Sequence, residues 1–249
     1  MNFSDIQSYR LPVAMSVLVL LLCWETVQPF FSFFRGASKK WQARGKHALL
    51  NLGIGLINAL VVAGVFVGLW AAVATWTERH EFGLRFLLGP DNPWRWGLAL
   101  VLLDAWTYCW HRLNHRVPFL WRFHRLHHSD RSMDVTTATR FHFMEITLSS
   151  LLRVPLLILL GARLEELAVY KTLLFAVVQF HHANIGLPER IDRILRWVIV
   201  TPALHKVHHS VHRIEADSNY SSLFSWWDRL FGTWRLLPKN RSIQFGVED

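Results

Sequence analysis

Fourteen histidines occur in a chain of 249 residues, and their spacing is the first chemical signal. His111 and His115 form an HxxxH pair. His124, His127 and His128 form HxxHH, and His205, His208 and His209 repeat that pattern. On a helix, positions i, i+3 and i+4 share a face, so each motif presents its rings together. Neutral imidazole suits iron, zinc, copper and nickel. It also avoids burying negative charge beside an apolar substrate. Three histidines satisfy one ion, and eight or more call for two ions close together. His181 and His182, where an apolar run ends, extend the candidate ligand set. His142, in the run Arg140 to Glu145, is either a ligand or a polar group on the substrate side. His47, His80 and His212 are weaker candidates.

Groups that orient such ligands are also present. Asp104 lies about two helical turns before His111 on the same face, placed to accept a proton from a ligand's second nitrogen. A carboxylate inside an apolar segment is costly and marks function. Glu145, Asn219 and Asp228 are further second-layer candidates, with Asp130 and Asp217 also available. No catalytic side chain beyond the metal ligands is expected.

The elements that must carry these residues are membrane helices. Apolar residues make up 52% of the chain and charged residues only 18%, below the usual soluble share. Five apolar segments stand out, at about 11–33, 48–77, 94–110, 146–161 and 167–180. The first has no small-residue cleavage site after it and no basic leader, so it reads as an uncleaved span. The second holds Gly53, Gly55, Gly64 and Gly68, a spacing that suits close helix packing. The last two are short and read as a hairpin about a polar pivot at 162–166. Cys23 and Cys109 lie in apolar runs and read as packing residues, not a disulfide framework.

Charge orients the array. Arg35, Lys39, Lys40, Arg44 and Lys46 form a basic segment without an acid, a cytoplasmic signature. The segment from Glu78 to Arg95, with Asp91, is balanced and fits the far side. With the hairpin, every histidine motif falls on the cytoplasmic face. The expected fold is all-α: one membrane domain over 1–249, about four to five membrane helices, and a cytosolic metal cap from 111–145 and 181–237. Residues 191–204 read as an amphipathic surface helix that delivers the last triplet, with an internal helix of the cap as the alternative. Interfacial aromatics, Trp226 and Trp227 among them, suit a membrane boundary as well as a site.

Rival classes are weighed on the same residues. A zinc hydrolase lacks HExxH, and the ligands exceed one catalytic zinc. A transporter would place ligands at mid-membrane, not beyond the span ends. Nucleic-acid binding is disfavoured, because the positive-inside rule already explains the net charge of +9. A non-redox zinc enzyme and a non-catalytic metal-binding membrane protein remain the alternatives.

The histidine set, with Asn219-Tyr220 and the run Trp227 to Thr233, resembles the fatty acid hydroxylase/sterol desaturase superfamily of membrane oxygenases. Arg140 to Glu145 and His182 to Pro188 are similar to its bacterial branches. The resemblance covers roughly residues 48–237. It implies two iron ions, O2 as co-substrate and electrons from an external donor, a separate electron-transfer protein. It implies hydroxylation or desaturation of a membrane lipid, a sterol, fatty acyl chain or related molecule. The small size and the lack of a retention signal are compatible with a bacterial inner membrane. The resemblance places the metal motifs on His111 and His115, on His124, His127 and His128, on His182 with His181 beside it, and on His205, His208 and His209. Some members carry a histidine where this chain has Val178, and His142 or His181 are the residues that would compensate. Arg229 is expected to tie the tail to the cap by a salt bridge.

Overall fold

The computed structural model describes residues 3–34, 40–89, 92, 94–238 and 242–248. Arg35, Lys39 and Asp91 lie outside the described residues. The regular elements among the described residues are all helical, with two isolated bridges, Ile199 to Phe224 and Ser210 to Phe245, and no strand.

Helix α1 (Phe3–Val27) ends earlier than its apolar run, because Pro29 disfavours helix at the residue before it. Residues 28–34 form an aromatic knot in which Phe31 and Phe33 pack on Phe245. Helix α2 (Lys40–Val61) passes through one π turn (Val62–Phe66) into α3 (Val67–Arg79), followed by the short α4 (Leu84–Leu87). Helix α5 (Trp94–Arg116) carries HxxxH at its end, and Val117-Pro118 opens α6 (Pro118–His128), proline being suited to the first helical position. A 3-10 turn (Val135–Thr139) leads to α7 (Phe143–Leu152). The expected fourth span then breaks at Arg153 and continues as α8 (Val154–Leu160). Gly161, in the left-handed region, caps α8, and α9 (Leu164–His182) returns to the starting end. At that turn a Cβ on Gly83 would sit 2.3 Å from the Gly161 backbone nitrogen, so both positions need glycine.

The cap adds α10 (Glu189–Leu195), α11 (Pro202–His208), α12 (Arg213–Ala216) and α13 (Trp226–Leu230). The surface helix expected over 191–204 is shorter. It closes at Leu195, residues 196–199 turn into the Ile199 to Phe224 bridge, and Pro202 opens α11 instead of closing α10.

Among the described residues, three helical segments are long and apolar enough to cross a membrane: Ser8–Val27, Lys40–Leu87 and Phe143–Leu160. Helices α5 and α9, with 23 and 19 residues, reach about 35 and 28 Å, long enough for a bilayer core. Their composition falls short because they turn polar groups inward, among them Asp104, Asn114 and Gln179. The second apolar segment also sits differently from expectation. Residues 47–58 of α2 run along the cap: Asn51 reaches Asp130 and Thr136, and Asn58 donates to the Phe141 carbonyl. The apolar core of the bundle lies further along, where Phe66, Trp70, Leu103, Leu157, Leu167 and Tyr170 pack together.

The glycine reading is corrected at the same helix. Gly53, Gly64 and Gly68 have open space around them. Only Gly55 marks a close approach, where a Cβ would lie 2.6 Å from Thr139 Cβ. Thr139 holds the Asn51 and Thr136 carbonyls, so Gly55→Ala must push the 3-10 turn away from α2. We expect that substitution to lower stability by about 1–3 kcal/mol, as overpacking does. Gly53→Ala should leave the thermal midpoint in detergent unchanged or slightly raised.

Helix α1 is fastened to the cap by one carboxylate. Glu25, buried, accepts the Val135 and Asn184 backbone N–H groups at 3.1 and 2.9 Å and pairs with Arg44 at 2.9 Å. Val135 opens the 3-10 turn, and Asn184 lies two residues after His182, just past the end of α9.

Candidate metal centre

All four histidine motifs converge at the end of the bundle where α1 ends, α2 begins and α5 and α9 finish. The far end, with the Glu78–Arg85 and Glu166–Arg95 pairs, holds none of them. Two groups form. His111, His115, His124, His128 and His208 make one, and His127, His182, His205 and His209 the other. Within each group, one ligand nitrogen per residue lies within 4.8 Å of all the rest. Helix α6 serves both, with His124 and His128 turned to the first group and His127 to the second. Helix α11 does the same with His208 against His205 and His209.

Hydrogen bonds fix the protons on several rings. His111 Nδ1 lies 2.7 Å from the Tyr220 carbonyl, His208 Nδ1 2.7 Å from the Ser218 carbonyl, and His182 Nδ1 2.7 Å from the Val178 carbonyl. A carbonyl only accepts, so each Nδ1 carries hydrogen and each Nε2 is a bare lone pair. His124 Nδ1 likewise donates to Glu145 at 2.9 Å.

The Nε2 atoms of both groups face one another across short distances. His111 Nε2 and His208 Nε2 are 2.9 Å apart. His182 Nε2 lies 3.1 Å from His127 Nε2 and 3.0 Å from His205 Nε2, and His205 Nε2 lies 3.1 Å from His209 Nε2. In the His111–His208 pair both Nδ1 atoms are committed to carbonyls, so two bare acceptors meet there, and they repel unless a cation lies between them. A proton does not serve at neutral pH: burial first, then the neighbouring imidazoles, hold His208 down at about 3 and push His127, His128, His205 and His209 well below their ordinary value. A metal ion does serve. Two nitrogens bound at about 2.1 Å and at right angles lie about 3 Å apart. His115 Nε2, His124 Nε2 and His128 Nε2 are buried without any hydrogen-bond partner, as ligand nitrogens must be. The donor set therefore fits two ions with nitrogen ligands.

The second layer differs from expectation in part. Glu145 accepts from His124 and from Asn114. Asp104 does not reach His111. It accepts from Tyr170, from the Phe224 backbone and from Trp227 Nε1, and so ties the tail to α5 and α9. The shared face is real, but the His111 ring points to the Tyr220 carbonyl instead. Asp228 acts through that carbonyl: it accepts the Tyr220 and Ser221 N–H groups and the Thr233 hydroxyl. Asn219, in the left-handed region, donates to the Leu204 carbonyl just ahead of His205. Asp217 lies 3.6 Å from His115 Nδ1 and accepts the Tyr220 hydroxyl. Asp130 serves the frame: burial alone would raise its carboxyl, but His47 and Thr137 hold it down at about 2.

His142 and His181 stand outside both groups. His142 Nδ1 accepts the Met144 N–H and caps α7. His181 packs its ring 3.9 Å from the ring of His205, with Nδ1 unpartnered. Position 178 contributes its carbonyl, to His182, in place of a side chain. Among the described residues, Arg229 forms no salt bridge to the cap. It donates to the Arg196 carbonyl and lies over Trp197 and Trp234. Trp227 is engaged with Asp104, while Trp226 is exposed. His80 bonds the Trp76 carbonyl at the far end, and His212 is exposed. Sequence reasoning did not anticipate Lys206, buried between ligands of α11, which donates to the Ala183 and Ile185 carbonyls and holds α11 against the end of α9. Its place inside HxxHH was the available signal.

A fatty acid hydroxylase family model matches residues 96–233, more than half of the chain. The chain belongs to the fatty acid hydroxylase family. This family assignment agrees with the resemblance carried by the histidines, and its match begins later than residue 48. An alkylglycerol monooxygenase from Xenopus tropicalis is 31% identical over 215 residues, covering 83% of this chain and 45% of that protein. Ornithine lipid hydroxylase OlsE of Rhizobium tropici is 28% identical over 245 residues, 94% of this chain and 70% of the other. Cholesterol 25-hydroxylase of Rattus norvegicus is 26% identical over 158 residues, 61% and 50% of the two. The chain spans about half the length of the alkylglycerol monooxygenases it matches. No solved structure matches the chain.

The neutral state of these rings sets a pH dependence. Imidazole in the unfolded chain titrates near 6.5, whereas folded His208 is held at about 3. A depressed folded value means that the stability gained from the neutral ring is present above about 6.5 and lost as pH falls toward 3. Metal binding needs the same neutral rings. The thermal midpoint and bound metal should both be flat between about pH 7 and 8 and fall together below about 6.5, a profile read by scanning unfolding and metal analysis on one pH series.

Proposed function

We propose that this protein is a membrane lipid hydroxylase, inserting one oxygen atom from O2 into a C–H bond at a pair of iron ions. The observation that carries the reading is the convergence of nine buried imidazoles into two adjoining groups whose ring nitrogens face one another. The names of the relatives, a monooxygenase and two hydroxylases of lipids, favour hydroxylation over desaturation. Overall, a lipid C–H, O2, two electrons and two protons give a lipid alcohol and water, so an external electron donor is part of the proposal. When bound, the iron pair would supply the oxidising power that no side chain has.

The chain's own residues do the rest. His111, His115, His124, His128 and His208 would hold one ion, and His127, His182, His205 and His209 the other. The Tyr220, Ser218 and Val178 carbonyls and Glu145 hold four of these rings in the metal-ready tautomer, which also fixes ring direction. Phe141 lies parallel to His127 at 4.2 Å and shuts water out on that side. The lipid would approach along the membrane helices, whose cap ends carry the site. We infer that the cap lies on the cytoplasmic side of the membrane, from the basic segment around Lys40, Arg44 and Lys46, and the likeness to the Rhizobium tropici lipid hydroxylase supports a bacterial inner membrane.

Elemental analysis with iron spectroscopy on protein purified from iron-replete cells tests the reading. Two irons per chain, with hydroxylated lipid formed under O2 and reductant, are expected. Zinc alone after iron-replete growth, or no oxidised lipid, would refute it. Reporter fusions at Lys40, Arg131 and the C-terminus should all report the cytoplasmic side.

A further inference from the structure

The outer face of α6 poses a question that the metal groups leave open. His124, His127 and His128 are buried, whereas Arg122 and Arg125, one turn apart, face outward. With Arg131, His142 and Val247 they line an open groove of about 570 Å³. Among the described residues, no acidic side chain lines it. Other arginines of the cap are used structurally. Arg140 donates to the Leu126 carbonyl, to Asn51 and to Ser129, and Arg196 pairs with Asp192 and Glu189. Arg122, Arg125 and Arg131 form no ion pair among the described residues, and Arg122 rests over Phe119 and Phe123. The positive-inside rule accounts for basic loops, but not for three unpaired guanidiniums gathered at one groove.

We propose that this groove docks an acidic one-electron carrier protein. The inference rests on the hydroxylase reading, in which each turnover takes two electrons from outside the chain. Two reduced carriers, each oxidised by one electron, would supply them, and the two protons come from water to leave with the second oxygen atom as H2O. Charge complementarity selects the partner: an arginine-lined groove without carboxylates attracts an acidic surface and steers its encounter. Position adds a second argument. The groove and the ligand nitrogens lie on opposite faces of the same helix, about one helix diameter of roughly 10 Å apart. Aromatic groups line the way. His142, at the groove, packs on Phe123 at 5.1 Å, and its neighbour Phe141 stacks on His127.

The test uses the full chain in nanodiscs of zwitterionic phosphatidylcholine, with a plant-type [2Fe–2S] ferredoxin, a strongly acidic one-electron donor, as the probe. Ferredoxin affinity is measured by titration at low and high salt. Wild type should bind, and binding should weaken roughly tenfold as salt screens the contact. The double reversal Arg122→Glu with Arg125→Glu should weaken low-salt binding at least about tenfold and flatten the salt response. Arg193→Glu, an exposed arginine of α10, should leave binding unchanged. Unaltered iron content and elution volume establish that the double variant is folded, and Arg122→Gln with Arg125→Gln should give an intermediate loss. Product formed with dithionite should survive in the double variant, while ferredoxin-driven product falls in step with affinity. Ferredoxin affinity that is absent in wild type, or unmoved by reversal, overturns the proposal. So does a reversal that weakens only association with phosphatidylglycerol, which would make the groove a lipid headgroup site. Lack of iron or of any product with dithionite in wild type would instead refute the hydroxylase reading, independently of the binding result.

Discussion

His209→Ala should remove turnover to background and take metal with it, while insertion into the membrane stays intact. His209 Nε2 meets His205 Nε2 at 3.1 Å, and its ring lies parallel to His128 at 4.4 Å, so the substitution opens one group and loosens the wall of the other. His128→Ala should act the same way from the first group. Iron per chain, measured beside product formation in the same preparation, gives the result. If either variant keeps wild-type metal and turnover, the assignment of nine histidines to two ions is wrong. His142→Ala is the contrast: it removes a cap of α7, costing about 1 kcal/mol, and should leave metal content unchanged.

Glu145→Gln should lower iron affinity or activity by about 10–100-fold, the usual effect of losing a carboxylate behind a ligand histidine. Glu145 is buried and accepts from both His124 Nδ1 and Asn114. A glutamine keeps the shape but not the charge, and its amide can present a donor where His124 needs an acceptor. His124 could then turn its bare nitrogen outward and lose the metal-ready tautomer. Iron affinity by competition with a chelator is the measurement. An unchanged affinity would mean that the His124 ring is held by packing alone.

The two HxxHH motifs, HxxxH and His182 were readable because helical spacing alone gathers their rings. The side of the bundle on which they meet followed from basic segments and span order. What the sequence concealed was of another kind. The proton acceptors for His111, His208 and His182 are backbone carbonyls, and every residue type has one. Asp104 had the right face and depth, but its ring partner was decided by a tail loop more than a hundred residues away. His142 and His181 are adjacent to ligand motifs in the chain, yet one is turned aside by a helix start and the other by the alternation of faces on α9. The division of α6 between two groups, His127 against His124 and His128, required the position of α9 and α11 as well. Glycine spacing in the second apolar segment misled for a related reason: packing depends on what faces each position, and only Thr139 faces one.

Glu25 bears on how much of this chain is the smallest working unit. The segment matched by the family begins at residue 96, so α1 and α2 look like accessories to it. Yet the carboxylate of Glu25 is the acceptor for two backbone N–H groups beside ligand-bearing elements, and Asn184 in turn grips the backbone of Phe31. An excised fragment starting at α5 would bury those N–H groups without acceptors, at about 1–3 kcal/mol for each unsatisfied group. Anyone grafting the histidine cap onto another scaffold, or trimming the protein for study, has to carry the N-terminal helix along with it.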